Sequence, residues 1–89
     1  MLKNRRRNVY LSEMKRLIMQ NMPETFTDVQ TITKNDLFEN CNHDALSLQI
    51  KMDYDTFNIA LSSLVDEQCI VYFSDKDIRP TRCGLIGYN

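Results

Sequence analysis

Glycine is scarce in this chain, and its scarcity excludes the common phosphate-binding loops. Only Gly84 and Gly87 occur among 89 residues, so neither GxxxxGK[ST] nor GxGxxG can be formed. The catalytic patterns GxSxG and HExxH are also missing. The sequence holds one histidine and no tryptophan. We therefore expect a non-enzymatic chain that needs no cofactor.

Long apolar segments are missing as well. No run approaches the roughly 18 residues that a membrane span needs. The charged start, Lys3-Asn4-Arg5-Arg6-Arg7, differs from the apolar centre of a signal peptide. The length of 89 residues, with 43% hydrophobic and 26% charged, suits one small globular domain. We expect a nuclear location, or a cytoplasmic one for a viral or bacterial regulator.

The three cysteines form an odd set without CxxC spacing, which argues against a disulfide framework. Cys41, Cys69 and Cys83 together with His43 would supply four donors, the number that tetrahedral zinc takes. Their spacing fits no zinc module, and a cysteine within an apolar strand is usually part of the core. We therefore expect no metal site, and we place His43 in a solvated turn.

Charge is distributed unevenly, although the net charge is only −1. Residues 1–16 carry six basic residues and one acidic residue, a balance of +5, whereas the rest of the chain carries five bases and eleven acids, a balance of −6. Residues 1–7 are predicted to be a basic arm or linker in front of an acidic domain.

Hydrophobic periodicity predicts three helices. The first covers about Asn8–Met22 and ends before Pro23, because proline disfavours the helical conformation of the residue before it. The second covers Lys34–Cys41, with Thr33 as its N-cap. The third begins after the N-cap Asp53 and ends near position 67.

Three short strands accompany these helices, at Val29–Ile32, Cys69–Phe73 and Ile78–Arg79. Apolar residues alternate from Leu46 to Met52, which favours extended structure there. The tail, residues 80–89, is predicted to be loosely held. The order of helix, strand, helix, helix and hairpin is typical of a winged helix. We therefore predict an α+β fold over residues 8–79, with a three-helix helix-turn-helix core and a small antiparallel β-hairpin wing.

The third helix is poorly suited to DNA. In helix-turn-helix proteins the second helix of the motif reads bases in the major groove. Here that region begins Lys51-Met52-Asp53-Tyr54-Asp55, which offers one base and two acids to a phosphate backbone. The candidate nucleic-acid contacts therefore lie in the arm and the wing: Lys3, Arg5, Arg6, Arg7, Lys76 and Arg79.

The third helix is flanked by four acidic residues, Asp53, Asp55, Asp66 and Glu67. Asp53 and Asp55 suit the positive N-terminal end of a helix, either as caps or as a partner-binding surface. Asp66 and Glu67 lie at the C-terminal end, where a negative charge is unfavourable. These two acids are either solvated or close to a basic partner. All four acids are therefore candidate partner-binding residues.

Some of these residues form a pattern shared with a known family. They are Arg5-Arg6-Arg7, Leu11, Glu13, Lys15, Leu17, Ile18, Asp36-Leu37-Phe38-Glu39, Asp53, Phe57, Ala60-Leu61, Leu64, Asp66, Ile70-Val71 and Ile78-Arg79. Over residues 5–79 the chain resembles the C-terminal winged-helix domain of eukaryotic minichromosome maintenance (MCM) replicative helicase subunits, nearest the fourth-subunit type. The tail after position 79 departs from that pattern.

The resemblance implies a non-catalytic domain that follows an AAA+ ATPase domain. Such domains contact loading factors of the origin-licensing machinery and neighbouring subunits, and the basic arm would be the end of the linker from the ATPase. The residues alone leave an alternative, a small DNA-binding regulator that uses its arm and wing. A basic surface formed jointly by Lys51, Lys76, Arg79 and Arg82 would favour this alternative.

Overall fold

The computed structural model describes residues 7–24, 30–74 and 76–87. These residues form a small α+β domain. The helices are α1 (Leu11–Gln20), α2 (Lys34–Ser47), α3 (Tyr54–Asp66) and α4 (Arg82–Gly87). The strands are β1 (Arg7–Asn8), β2 (Ile32–Thr33), β3 (Ile50–Lys51), β4 (Ile70–Tyr72) and β5 (Asp77–Pro80).

Local hydrogen bonds explain where the long helices begin. The Thr33 hydroxyl accepts the backbone N–H of Asp36 at 3.1 Å. The Asp53 carboxylate accepts the N–H of Thr56 at 2.8 Å. Both N-caps predicted from the sequence are therefore confirmed. They can be predicted because capping involves residues only three positions apart.

The core lies where α1, α2 and α3 meet above a small sheet. Each element contributes its apolar side to one cluster of buried side chains. The fully buried members are Met14, Ile18, Leu37, Cys41, Ala45, Phe57, Ala60, Leu64 and Ile78. No single helix of this size could bury its apolar side alone, so the three helices share one core.

Two sheets complete the domain. The antiparallel sheet has the order β2-β5-β4, with Ile32 opposite Ile78 and Val71 opposite Arg79. The other sheet is a parallel pair of β1 and β3, in which Arg7 lies opposite Ile50. This parallel pair fastens the start of the described chain beside the segment that leads into α3.

Helix α2 is longer than the sequence pattern predicts. The predicted end at Cys41 is wrong, because the helix continues to Ser47 and buries Ala45 one turn later. The alternation that favoured extended structure came partly from leucines that are exposed, at positions 46 and 48. Only β3 is extended in that segment. His43 consequently lies on the exposed side of α2 and not in a turn.

The tail is held more firmly than predicted. Helix α4 brings Gly84 against the backbone of Cys69, and Pro80 is buried as the last residue of β5. Thr81 joins the two segments, since its hydroxyl donates to the carbonyl oxygen of Gln68 and accepts the N–H of Gly84. The prediction of a loosely held tail is therefore wrong for residues 80–87.

The remaining differences are small. The first helix is shorter than predicted, because α1 covers Leu11–Gln20. The last strand is longer than predicted, because β5 covers Asp77–Pro80. Of the strand predicted at Val29–Ile32, only Ile32 is extended as part of β2. Gln30 and Thr31 are not in a strand, and Val29 lies outside the described residues.

Substitution of Gly84 by alanine should destabilise the domain. The added Cβ would lie 2.8 Å from the carbonyl carbon of Cys69 and closer still to its oxygen, and backbone atoms there cannot move aside cheaply. We expect Gly84→Ala to lower the free energy of unfolding by about 1–3 kcal/mol, as overpacking does. Urea unfolding monitored by circular dichroism would measure the change in the free energy of unfolding.

Gly87→Ala is the matched control, because an added Cβ at Gly87 meets no atom within 4 Å. The control should leave the unfolding midpoint unchanged or slightly raised. Equal effects of the two substitutions would contradict the observed packing of α4.

Candidate partner-binding and nucleic-acid interfaces

The outward side of α3 is a stripe of acidic, apolar and hydroxyl side chains. Asp55, Ile59, Ser62 and Asp66 recur at steps of three and four residues, and all four are exposed. Ile59 is 58% exposed although it is a large apolar residue. The helix contains no lysine or arginine. Helix α3 itself therefore offers no positive charge to a phosphate backbone.

A shallow depression continues this stripe toward the end of β4. It has a volume of about 310 Å³ and is lined by Ser62, Val65, Asp66 and Tyr72. Val65 and Tyr72 are 40% and 43% exposed. We call the combined surface the α3 face: Asp55, Ile59, Ser62, Val65, Asp66 and Tyr72. Apolar side chains grouped at the surface of a small domain often mark an interaction site.

Two of the four predicted partner-binding acids already accept hydrogen bonds from residues of the domain itself. The Asp53 carboxylate accepts the backbone N–H and the hydroxyl of Thr56, and these hydrogen bonds lower the pKa of Asp53. Glu67 accepts a hydrogen bond from Lys15 Nζ at 2.5 Å, which lowers the pKa of Glu67. The basic residue that the position of Glu67 indicated is therefore Lys15 of α1.

The other two acids remain available. Within residues 7–24, 30–74 and 76–87, neither Asp55 nor Asp66 makes an ion pair or a side-chain hydrogen bond. Both lie on the α3 face. The structure thus separates the four acids into two that stabilise the fold and two that are free to contact a partner.

Arg7 belongs to the folded domain and not to a free arm. Its guanidinium donates to both carboxylate oxygens of Glu13, at 2.8 and 2.5 Å, and lies 4.7 Å from the centre of the Tyr10 ring. Glu13 also accepts the N–H of Tyr10 at 3.0 Å. These contacts hold the pKa of Glu13 at about 2, chiefly through the hydrogen bond from Arg7. Lys3, Arg5 and Arg6 lie outside the described residues.

The candidate contacts of the wing lie on different elements from the other bases. Lys76 lies beside the N-terminus of α2, where its carbonyl oxygen accepts the N–H of Lys34 at 3.1 Å. Arg79 is half-buried in β5 and donates to the carbonyl oxygen of Pro80 at 3.4 Å. Lys51 lies in the other sheet, opposite Asn8, and Arg82 begins α4. The structure distributes these bases over different elements.

The thiols and His43 are not arranged as a metal site. Cys41 is buried in the core, and burial raises its pKa to about 12. Cys69 is also buried, which raises its pKa, whereas Cys83 is exposed. Among the residues that the structure describes, no group of three or more His, Cys, Asp or Glu side chains could hold a metal ion.

No family model, curated protein or solved structure matches this chain. Within the described ranges, no helix has both the length and the apolar character needed to cross a membrane.

The contribution of Glu13 to stability should disappear in acid. Its pKa is about 2 in the folded domain against an ordinary value of 4.5. A carboxyl group whose pKa is lower in the folded state than in the unfolded state stabilises the fold at pH values above its unfolded-state pKa. This contribution is lost as the pH falls toward its folded-state pKa. Glu13→Gln should therefore destabilise the domain at pH 7, and the difference from the unaltered chain should shrink progressively between pH 5 and pH 2.

Urea unfolding at several pH values would measure that difference. Glu39→Gln provides the control, because Glu39 is an exposed acid of α2 whose side chain makes no hydrogen bond or ion pair within the described residues. A pH-independent effect of Glu13→Gln would show that the carboxylate charge does not matter.

Proposed function

We propose that this chain is a winged-helix interaction domain without catalytic activity, which binds a protein partner through the α3 face. The order α1, β2, α2, α3, β4, β5 supports the winged-helix assignment. The sheet order β2-β5-β4 supports it too, because β4 and β5 form an antiparallel hairpin directly after α3, as the wing of a winged helix does. In this assignment α3 is the helix that enters the major groove in DNA-binding members of the class.

The observation that carries the proposal is the chemistry of α3. All 13 of its residues lack a basic side chain, and its outward side carries Asp55 and Asp66, which make no ion pair within the described residues. Approach to DNA would place these carboxylates near phosphates, whereas affinity for DNA comes largely from bases that neutralise phosphates. A protein partner could cover Ile59 and Val65 and use the aromatic ring of Tyr72, a residue type enriched at binding hot spots.

We further propose that the partner belongs to the DNA replication-licensing machinery in the nucleus. The support is the resemblance of residues 5–79 to the C-terminal domain of an MCM helicase subunit. In this proposal the α3 face contacts a loading factor or a neighbouring subunit, and ATPase activity lies in another domain. The bases Lys3, Arg5 and Arg6 form the end of a linker and hold DNA weakly and without sequence preference.

Duplex-DNA binding separates this proposal from a DNA-binding regulator. Fluorescence anisotropy of a labelled duplex would be measured at low and physiological salt, with the intact chain and with residues 1–6 removed. The deletion stops before Arg7 because that residue pairs with Glu13 in the folded domain. We expect weak binding that is lost with the arm or with added salt. Tight, salt-resistant binding by the shortened chain would instead favour the regulator.

Charge reversal on the α3 face tests the protein partner directly. Purified loading factors would be titrated against the chain and against the double variant Asp55→Lys with Asp66→Lys. We expect an affinity loss of at least about tenfold, or ~1.4 kcal/mol. Asp53 is left unchanged, because its loss would remove the N-cap of α3 and confuse stability with binding.

Glu39→Lys is the control for this titration, since it reverses the charge of an exposed acidic residue on α2. It should bind like the unaltered chain. If the control loses affinity and the double variant keeps it, the contact surface lies away from α3.

A further inference from the structure

A second surface of the domain is a groove between α1 and the turn that joins α2 to β3. It has a volume of about 270 Å³. Its apolar lining includes Leu17 and Ile50, each 4% exposed, and Leu48, which is 60% exposed. Gln49 directs the chain through this turn with a left-handed φ of 58°. We call this surface the α1 groove.

The other rim of the α1 groove is a row of polar side chains on α1. Ser12, Arg16 and Gln20 line the groove and follow one another at four-residue steps, which correspond to about 6 Å along the helix axis. Each of them can donate hydrogen bonds. The row therefore runs beside the apolar lining over about two helical turns.

The unpaired charge of the α1 groove is positive. Glu13 also lines it, but its carboxylate is occupied by Arg7 and by the N–H of Tyr10. Arg16 is exposed and makes no ion pair within the described part of the chain. A ligand in the groove thus meets an apolar surface on one side and an unpaired guanidinium on the other.

We propose that the α1 groove binds an acidic amphipathic helix of a partner protein. The apolar side of that helix would cover Leu48 and the edges of Leu17 and Ile50 that line the groove, as in other helix-in-groove complexes. Its Asp or Glu side chains would pair with Arg16 and accept hydrogen bonds from its neighbours on α1. A basic helix would be repelled by Arg16, and a nucleic acid would leave the apolar lining uncovered.

This inference goes beyond the proposed function because it concerns a different surface with the opposite charge. The α3 face is acidic and apolar and lies on α3 and β4, whereas the α1 groove lies on α1 and β3. The two sites can therefore be disabled separately. Failure of one leaves the other proposal standing.

The test uses two synthetic, conformationally constrained helical peptides of 15 residues. Both carry the same leucine stripe, flanked by glutamates in one peptide and by lysines in the other. Fluorescence polarisation with the intact chain should show tighter binding of the acidic peptide. Arg16→Glu should weaken that binding about tenfold and strengthen binding of the basic peptide. Leu48→Ser should weaken both, because the apolar contact is lost.

Arg82→Glu is the control, because it reverses the charge of another exposed arginine, on α4. It should bind the acidic peptide like the unaltered chain. The double α3 variant, Asp55→Lys with Asp66→Lys, should also bind it unchanged.

Three results would overturn the proposal. The first is failure of the acidic peptide to bind, and the second is equal binding of that peptide to Arg16→Glu. Sedimentation could also show self-association of the intact chain that is lost both in Arg16→Glu and in the double α3 variant. That last result would mean that the α3 face of a second copy covers the groove.

Discussion

The packing of α1 and α2 against the inner side of α3 decides which side chains of this domain reach solvent. Phe57, Ala60 and Leu64 of α3 are completely buried in the common core. Burial of each large apolar side chain contributes about 1.5–3 kcal/mol, so rotation of α3 about its axis would be costly. With that side fixed inward, the period of the helix turns Asp55, Ile59, Ser62 and Asp66 outward together. The proposed binding face is therefore a geometric consequence of the core.

Ion pairs at the edges of the helices determine which charges remain available. Lys15 pairs with Glu67, and Arg7 pairs with Glu13. Both are exposed or half-exposed contacts, which contribute little to stability individually. Their larger consequence is that each pair neutralises two charges at the surface. Asp55 and Asp66 are left on the α3 face and Arg16 beside the α1 groove, so that two surfaces of opposite charge lie on one small domain.

Sequence reasoning succeeded where the relevant interactions are local. The caps at Thr33 and Asp53 follow from residues three positions apart, and the apolar period of α3 follows from its own sequence. The same reasoning failed for the second half of α2, where the spacing of exposed Leu46 and Leu48 resembled the alternating pattern of a strand. Helix α4 was missed because Gly84 is held by the backbone of Cys69, which lies 15 positions earlier.

The features of the candidate site can likewise be separated into those that depend on local sequence and those that depend on tertiary packing. That α3 carries acids and no bases can be seen from its amino acids alone, because composition does not depend on packing. The tertiary arrangement brings Glu67 to Lys15, while Asp66, its neighbour in the chain, makes no ion pair within the described residues. It likewise decided that Arg7 closes onto Glu13 and that Arg16 borders an apolar groove. These outcomes depend on how α1 lies against α3 and β3, and the free energy that sets this arrangement comes from the whole core and not from any one segment.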